Sequence, residues 1–285
     1  MGLVVGAAVA SAVFVLVPDE DDDGSGNSAA SEPDEVTRML VVTRELSGAM
    51  SREREAVQVT MLGQEGMLVD VGDIPSTRAE TDEAVGVLRD TVASLDSSAA
   101  DQYGHAVDAL AGLDEIRADI DAHTGPRNLG QLEPVVLPLH RRYSELISTV
   151  HDGQETFASS LTDSERRTSA QLHALALRQH EAYQQLIRLV VFGTVNADQS
   201  AAFVTELATW KEDYEQGWAE LTDGAAGTAH QAAADQLAAA LVDDTVTRAA
   251  EDVLAAAQVD ISSVLASVSL EAHWLDFAQE IERDI

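Results

Sequence analysis

With 285 residues, of which 45% are hydrophobic and only 4% aromatic, the chain can bury a large core built mainly from Leu, Val, Ile and Ala. Its 50 acidic residues outweigh 17 basic ones for a formal net charge of −33. Such a surface repels phosphate backbones and anionic headgroups, which argues against nucleic acid and against peripheral binding to an anionic membrane, and the absence of cysteine excludes disulfides, thiolate metal sites and cysteine nucleophiles.

The chain opens on an uncharged apolar run, Gly2 to Val17, followed by the acidic stretch PDEDDDGSGNSAASEPDE. The run is shorter than the roughly 20 residues a spanning helix needs and no Lys or Arg precedes it, so it reads as a signal-peptide core or as a membrane helix. Its abrupt polar flank and the poor cleavage site near Ser11 favour a retained membrane anchor over residues 1–17. Residues 18–33 then form a disordered acidic linker, and residues 34–285 a helical domain on the extracytoplasmic side.

From Asp34 onward, apolar residues recur at helical spacing between turn signals. A first helix is predicted from Asp34 to about Leu62, where a glycine-rich loop ends it. Ser76 or Thr77 is placed to cap a second, TRAETDEAVGVLRDTVASL. A third spans Asp101 to about His123, with Val107, Leu110, Leu113, Ile116 and Ile120 on one face, and a fourth starts near Pro134 and carries Leu139, Tyr143, Leu146 and Val150. A long fifth helix follows SLTDSERR and reaches Phe192; a sixth holds Phe203, Leu207, Trp210, Tyr214 and Trp218. One or two alanine-rich helices precede a last one that runs from Val259 to EIERDI without a Gly or Pro stop, the mark of an output helix that continues toward the membrane. The expected fold is all-α, one or more antiparallel helical bundles of about eight helices plus the anchor.

One residue breaks the first helix's pattern. Leu46, Met50, Arg54, Val57 and Met61 follow one another at steps of four, four, three and four, so a cation stands in an apolar stripe. A guanidinium facing a packed interior costs several kcal/mol, of the order of the buried-charge penalty, unless an anion or carboxylate meets it. The complement is sought on the fifth helix, whose inner face is read as Leu172, Leu175, Gln179, Ala182, Tyr183, Leu186, Val190 and Gly193, with Arg178 and Arg188 on the outer sides. Gln179 and Tyr183 are its polar interruptions and both can donate hydrogen bonds. The competing reading is that Tyr183 simply packs and that Arg54 pairs with one of the many carboxylates.

Catalytic and metal signatures are missing. No Glu stands three residues before any of the eight histidines, His180-Glu181 begins like a zinc-protease helix but Gln184 replaces the second histidine, and neither a phosphate loop nor a Gly-x-Ser-x-Gly elbow occurs. No catalytic residue, metal ligand or cofactor is assigned.

The segments SREREAVQVTML, STRAETDEAVGVLR, HRRYSELISTV and LALRQHEAYQQLIRLVVFGTVNADQSAAF, with the last amphipathic helix, resemble the nitrate- and nitrite-sensing (NIT) domain. The resemblance spans roughly Val36 to Ile285 and implies an all-helical input module of bacterial sensor histidine kinases and related receptors, without enzymatic activity of its own. It places the family's Arg-Glu-Arg signature on Arg52, Glu53 and Arg54, and its Thr-Asp pair on Thr81 and Asp82. It further implies an anion clamped between arginines of two helices, with Ala182 and Tyr183 at the positions that hold Glu-Arg in relatives.

The sequence therefore predicts a membrane-anchored, homodimeric input domain that binds nitrate or nitrite through Arg54, Arg52, Gln179 and Tyr183 and signals by helix displacement. The alternative is a ligand-free helical scaffold for dimerisation or partner contact.

Overall fold

The computed structural model describes residues 34–61, 73–95, 97–123, 132–195, 200–241 and 245–285. The expected anchor at residues 1–17 and the linker at residues 18–33 lie outside them. Among the described residues there is no strand, and no helix is long and apolar enough to cross a membrane.

The described residues form eleven α-helical segments: α1 (Glu35–Met61), α2 (Ile74–Ser94), α3 (Ser97–Ala109), α4 (Gly112–Ala122), α5 (Leu137–Ser160), α6 (Ser164–Val195), α7 (Ala201–Ala225), α8 (Gln231–Ala240), α9 (Thr245–Leu254), α10 (Ile261–Ser267) and α11 (Glu271–Asp284). The count exceeds the expected eight because the alanine-rich stretch forms two helices, α8 and α9, and two other predicted helices are broken. The third splits at Leu110 and Ala111, just before Gly112, into α3 and α4; the last becomes α10, a 3-10 turn at Val268–Leu270, and α11. Apolar spacing continues across both breaks, so periodicity alone joins what the backbone separates.

Helix starts are set by short acceptor side chains. Asp34 Oδ1 accepts from Thr37 N at 3.0 Å, Asp163 Oδ1 from Glu165 N and Arg166 N, and Ser200 Oγ from Phe203 N at 3.2 Å. At α2 the cap is Asp73 rather than Ser76 or Thr77: its Oδ1 accepts from Ser76 N at 2.7 Å, and Pro75 occupies the first turn, where its missing N–H costs nothing. A π-helical turn, Leu132–Val136, leads into α5, and α7 ends before Gly227 at a φ of 74°.

α6 is the axis of the fold. It packs against α5 and α1 on one side and α7, α9, α10 and α11 on the other, while α2 and α3 lean on α1 and α5. Its stretch from Gln171 to Phe192 carries only three charged side chains, as a helix covered on all sides requires. On the α7–α11 side an aromatic chain ties the elements together: Tyr183 lies 5.8 Å from Tyr214, Tyr214 6.4 Å from Trp274, and Trp274 5.4 Å from Trp218 edge to face. On the other side α3 meets α5 at Gly153, where a Cβ would stand 2.9 Å from Ala106 Cβ and 3.3 Å from the Tyr103 ring. Gly153→Ala is accordingly expected to lower unfolding stability by about 1–2 kcal/mol, measured by urea denaturation, because neither neighbour is a flexible side-chain end that can yield.

Candidate functional site

Arg54 is fully buried at the junction of α1, α5 and α6. Its Nη1 donates to Glu181 Oε1 at 2.5 Å and to Ser144 Oγ at 2.8 Å; its Nη2 donates to Glu181 Oε2 at 2.9 Å and to Gln184 Oε1 at 3.3 Å. The complement demanded by the misplaced cation is thus a carboxylate, held in the bidentate fork that a guanidinium favours. Gln185 Nε2 reinforces it, donating to Glu181 Oε1 at 2.7 Å and to Ser144 Oγ at 2.8 Å. Burial would push the Glu181 carboxyl up, but the charges of Arg54 and Arg188 and these hydrogen bonds hold it down to about 2.

A second guanidinium completes the cluster. Arg188, 8% exposed, donates from Nη2 to the same Gln184 Oε1 at 3.3 Å and pairs with Glu55 of α1. Burial and the charge of Arg188 lower the Arg54 pKa. Arg54 Nε and Arg188 Nη1 are buried with no hydrogen-bond partner, and His140 Nε2 is likewise unpartnered, its ring kept neutral by burial and by both arginines. On the far side, Gln184 Nε2 donates to Glu271 Oε2 at 3.1 Å, which joins the cluster to the start of α11. Burial and Glu55 push the Glu271 carboxyl up to about 7.

The four residues singled out in the sequence are not gathered in one place. Arg54 lies on the α1–α6 contact as expected, yet Gln179 and Tyr183 occupy the opposite side of α6. Tyr183 donates to Ser267 O of α10 at 2.9 Å, and Gln179 lies flat over Gly217 of α7. Arg52 projects from the α1–α2 surface, paired with Glu80 at 3.0 Å and 44% exposed. Arg188, read as an outer residue, is buried. The inner face deduced from the strongest apolar positions is only half of α6's buried surface. The other half is the stripe Glu181, Gln184, Gln185 and Arg188, at spacings of three, one and three, the helical repeat of a single face written in polar residues. That spacing on a helix so poor in charge was the signal available.

Two further polar centres are structural ties. Glu53 is wholly buried and receives both forks of Arg117 at 2.8 Å and the Tyr143 hydroxyl at 2.9 Å, while Arg117 also reaches Asp82 at 2.6 Å. Glu282 of α11 accepts from Arg44 at 2.7 Å and lies 2.9 Å from His173 Nε2, whose other nitrogen meets Gln154. Ser169, His230 and Asp284 line up as a hydrolytic triad would, at 2.8 and 3.8 Å. Ser169 nevertheless sits within α6, where backbone N–H groups are committed to the helix and leave no oxyanion donors. Among the described residues no group of His, Asp or Glu is arranged to hold a metal ion.

At the centre of the bundle two guanidiniums from different helices, Arg54 of α1 and Arg188 of α6, thus meet around Gln184. A family model for nitrate and nitrite sensing matches residues 45–280, from α1 through most of α11, and the chain belongs to that family. No curated protein matches the chain, and no solved structure does. The match includes every residue of the Arg54 cluster.

Proposed function

We propose that the chain is the input domain of a bacterial signalling receptor and that it binds a small planar oxyanion, nitrate or nitrite, between Arg54 of α1 and Arg188 of α6. The observation that carries this reading is the pair of buried guanidiniums that share Gln184 Oε1 at 3.3 Å, each retaining one buried donor without a partner. The arginine that the family resemblance seeks on the second helix is supplied here by Arg188 rather than at Ala182 or Tyr183. In the free chain Glu181 serves as an internal planar anion. An incoming nitrate takes the unpartnered donors and competes with that carboxylate for the Arg54 fork. The ligand thereby shifts α1 against α6, and Gln184 passes the shift to Glu271 at the start of α11, whose other end is fixed through Glu282. The apolar run before the helical domain is the feature that would anchor it at residues 1–17, with the bundle extracytoplasmic.

Calorimetric titration of the full chain with nitrate, nitrite and chloride tests the reading. Nitrate or nitrite is expected to bind one equivalent, with chloride weaker, and Arg188→Gln should weaken binding at least about tenfold by removing a charge-assisted donor. Glu181→Gln removes the internal competitor, so nitrate should raise the melting temperature of that variant more than that of the parent. A second reading, the ligand-free scaffold, is favoured by the bidentate Arg54–Glu181 pair, which already neutralises Arg54. It prevails if no anion binds to parent or variant.

A further inference from the structure

On the other side of Glu181, α5, α6 and α7 enclose a groove of about 320 Å³, open to solvent along one side. A space of this size suits a small molecule. Two side chains that line it are buried and carry an atom without a hydrogen-bond partner: Gln179, 4% exposed, through Oε1, and His151, 1% exposed, through Nδ1.

The hydrogen bonds around His151 fix what its free nitrogen is. Ser47 Oγ donates its proton to Thr43 O at 2.8 Å, so the 2.9 Å contact between Ser47 Oγ and His151 Nε2 requires the imidazole to donate from Nε2. Burial keeps this ring neutral, its pKa brought down to about 3. Nδ1 therefore bears a bare lone pair. Gln179 Oε1 is an acceptor as well, and the absence of a Cβ at Gly217 lets the amide lie against α7: a methyl there would come within 1.8 Å of Gln179 Nε2. Both unpartnered atoms call for a donor.

Charge around the groove has the matching sign. Arg178 is held by Asp152 and Glu155 at 2.5 Å each, and Glu181 is held by Arg54. Asp213 at the rim forms no ion pair among the described residues, and desolvation together with Glu212 pushes its carboxyl up. Glu220 adds a further negative charge, and Trp210 supplies an aromatic wall. An anion is repelled here, which separates the groove from the Arg54–Arg188 centre.

We infer that this groove is a binding site for a small organic amine in its ammonium form, its N–H groups donating to His151 Nδ1 and Gln179 Oε1, its charge facing Asp213, and its carbon skeleton against Trp210. The neutral acceptors and the carboxylate select a charged donor, and the indole adds a cation–π contribution.

The test is titration of the full chain with benzylamine, followed by calorimetry and tryptophan fluorescence, beside its neutral counterpart benzyl alcohol. One equivalent of benzylamine should bind, and benzyl alcohol at least about tenfold more weakly, since it lacks the charge and two of the three donors. Trp210→Leu and Asp213→Asn should each weaken benzylamine about fivefold. Both positions lie at the rim of the groove, so helical circular dichroism should be unchanged in either variant. Equal affinity for benzyl alcohol, unchanged affinity in both variants, or uptake of several equivalents by general attraction to the −33 surface would each overturn the assignment.

Discussion

Replacing Arg54 by methionine is expected to lower the unfolding free energy by about 3–5 kcal/mol, the cost of leaving a buried carboxylate without its partner. Glu181 is 4% exposed at its side chain, and its remaining donor, Gln185, cannot neutralise a charge. The loss is a large part of the roughly 5–15 kcal/mol that holds a folded protein together. Urea denaturation should therefore show a midpoint displaced far below that of the parent, with the slope unchanged. Arg54→Met combined with Glu181→Leu should recover most of the loss, because the pair's attraction only offsets the desolvation of its two members and an apolar pair of similar volume needs no such offset. A double variant as unstable as the single one would show that Arg54 acts through Ser144 and Gln184 and not through Glu181. The outcome also bears on sensing: an internal ion pair with little net stability is one that an external oxyanion can open.

How much of this was legible beforehand follows from what each residue does locally. The all-helical fold could be read because Leu46, Met50, Val57 and Met61, and their counterparts on later helices, repeat at 3.6-residue spacing, which a single chain displays directly. Arg54 could be read because it puts a charge at that same spacing, and its place on the α1–α6 contact followed. Its neighbours could not be found by the same rule. The rule selects the most apolar face of a helix, and on α6 that face, with Gln179 and Tyr183, is turned to α7 and α10. The face turned to Arg54 is polar because a buried charge needs partners, so the site lies where amphipathic reasoning expects solvent. By that rule Arg188 reads as an outer residue. The breaks at Leu110–Ala111 and at Val268–Leu270 were hidden because the apolar spacing runs on through both.

Glu271 should make stability depend on pH between about 4.5 and about 7, and ligand affinity depend on pH above about 7. It faces Glu55 of α1 and Gln184, His180 and Arg188 of α6; Gln184 lies 3.1 Å and His180 3.9 Å away, and burial and Glu55 outweigh Arg188. Because its folded-state pKa lies above the unfolded value of 4.5, its contribution is fully present below that pH and is lost as pH rises through about 7. With the side chain 22% exposed, solvent moderates the cost of ionisation, and the loss is about 2 kcal/mol. The buried His140, His151, His173 and His180 have lowered pKa values and act in the opposite direction, losing stability as pH falls below 6.5. The contribution of Glu271 is therefore read as the difference between the parent and Glu271→Gln, which should be more stable by about 2 kcal/mol at pH 8 and nearly equal at pH 4.5. The same carboxyl touches the proposed oxyanion site through Gln184. A bound nitrate adds negative charge beside it and raises its pKa further, so binding takes up a proton and nitrate affinity falls by up to about tenfold per pH unit above the free-chain pKa. Glu271→Gln should flatten that dependence while leaving Arg54 and Arg188 in place. Parallel pH profiles for the two chains would show that the start of α11 is insulated from the arginine pair, and the proposed route from ligand to α11 would fall with it.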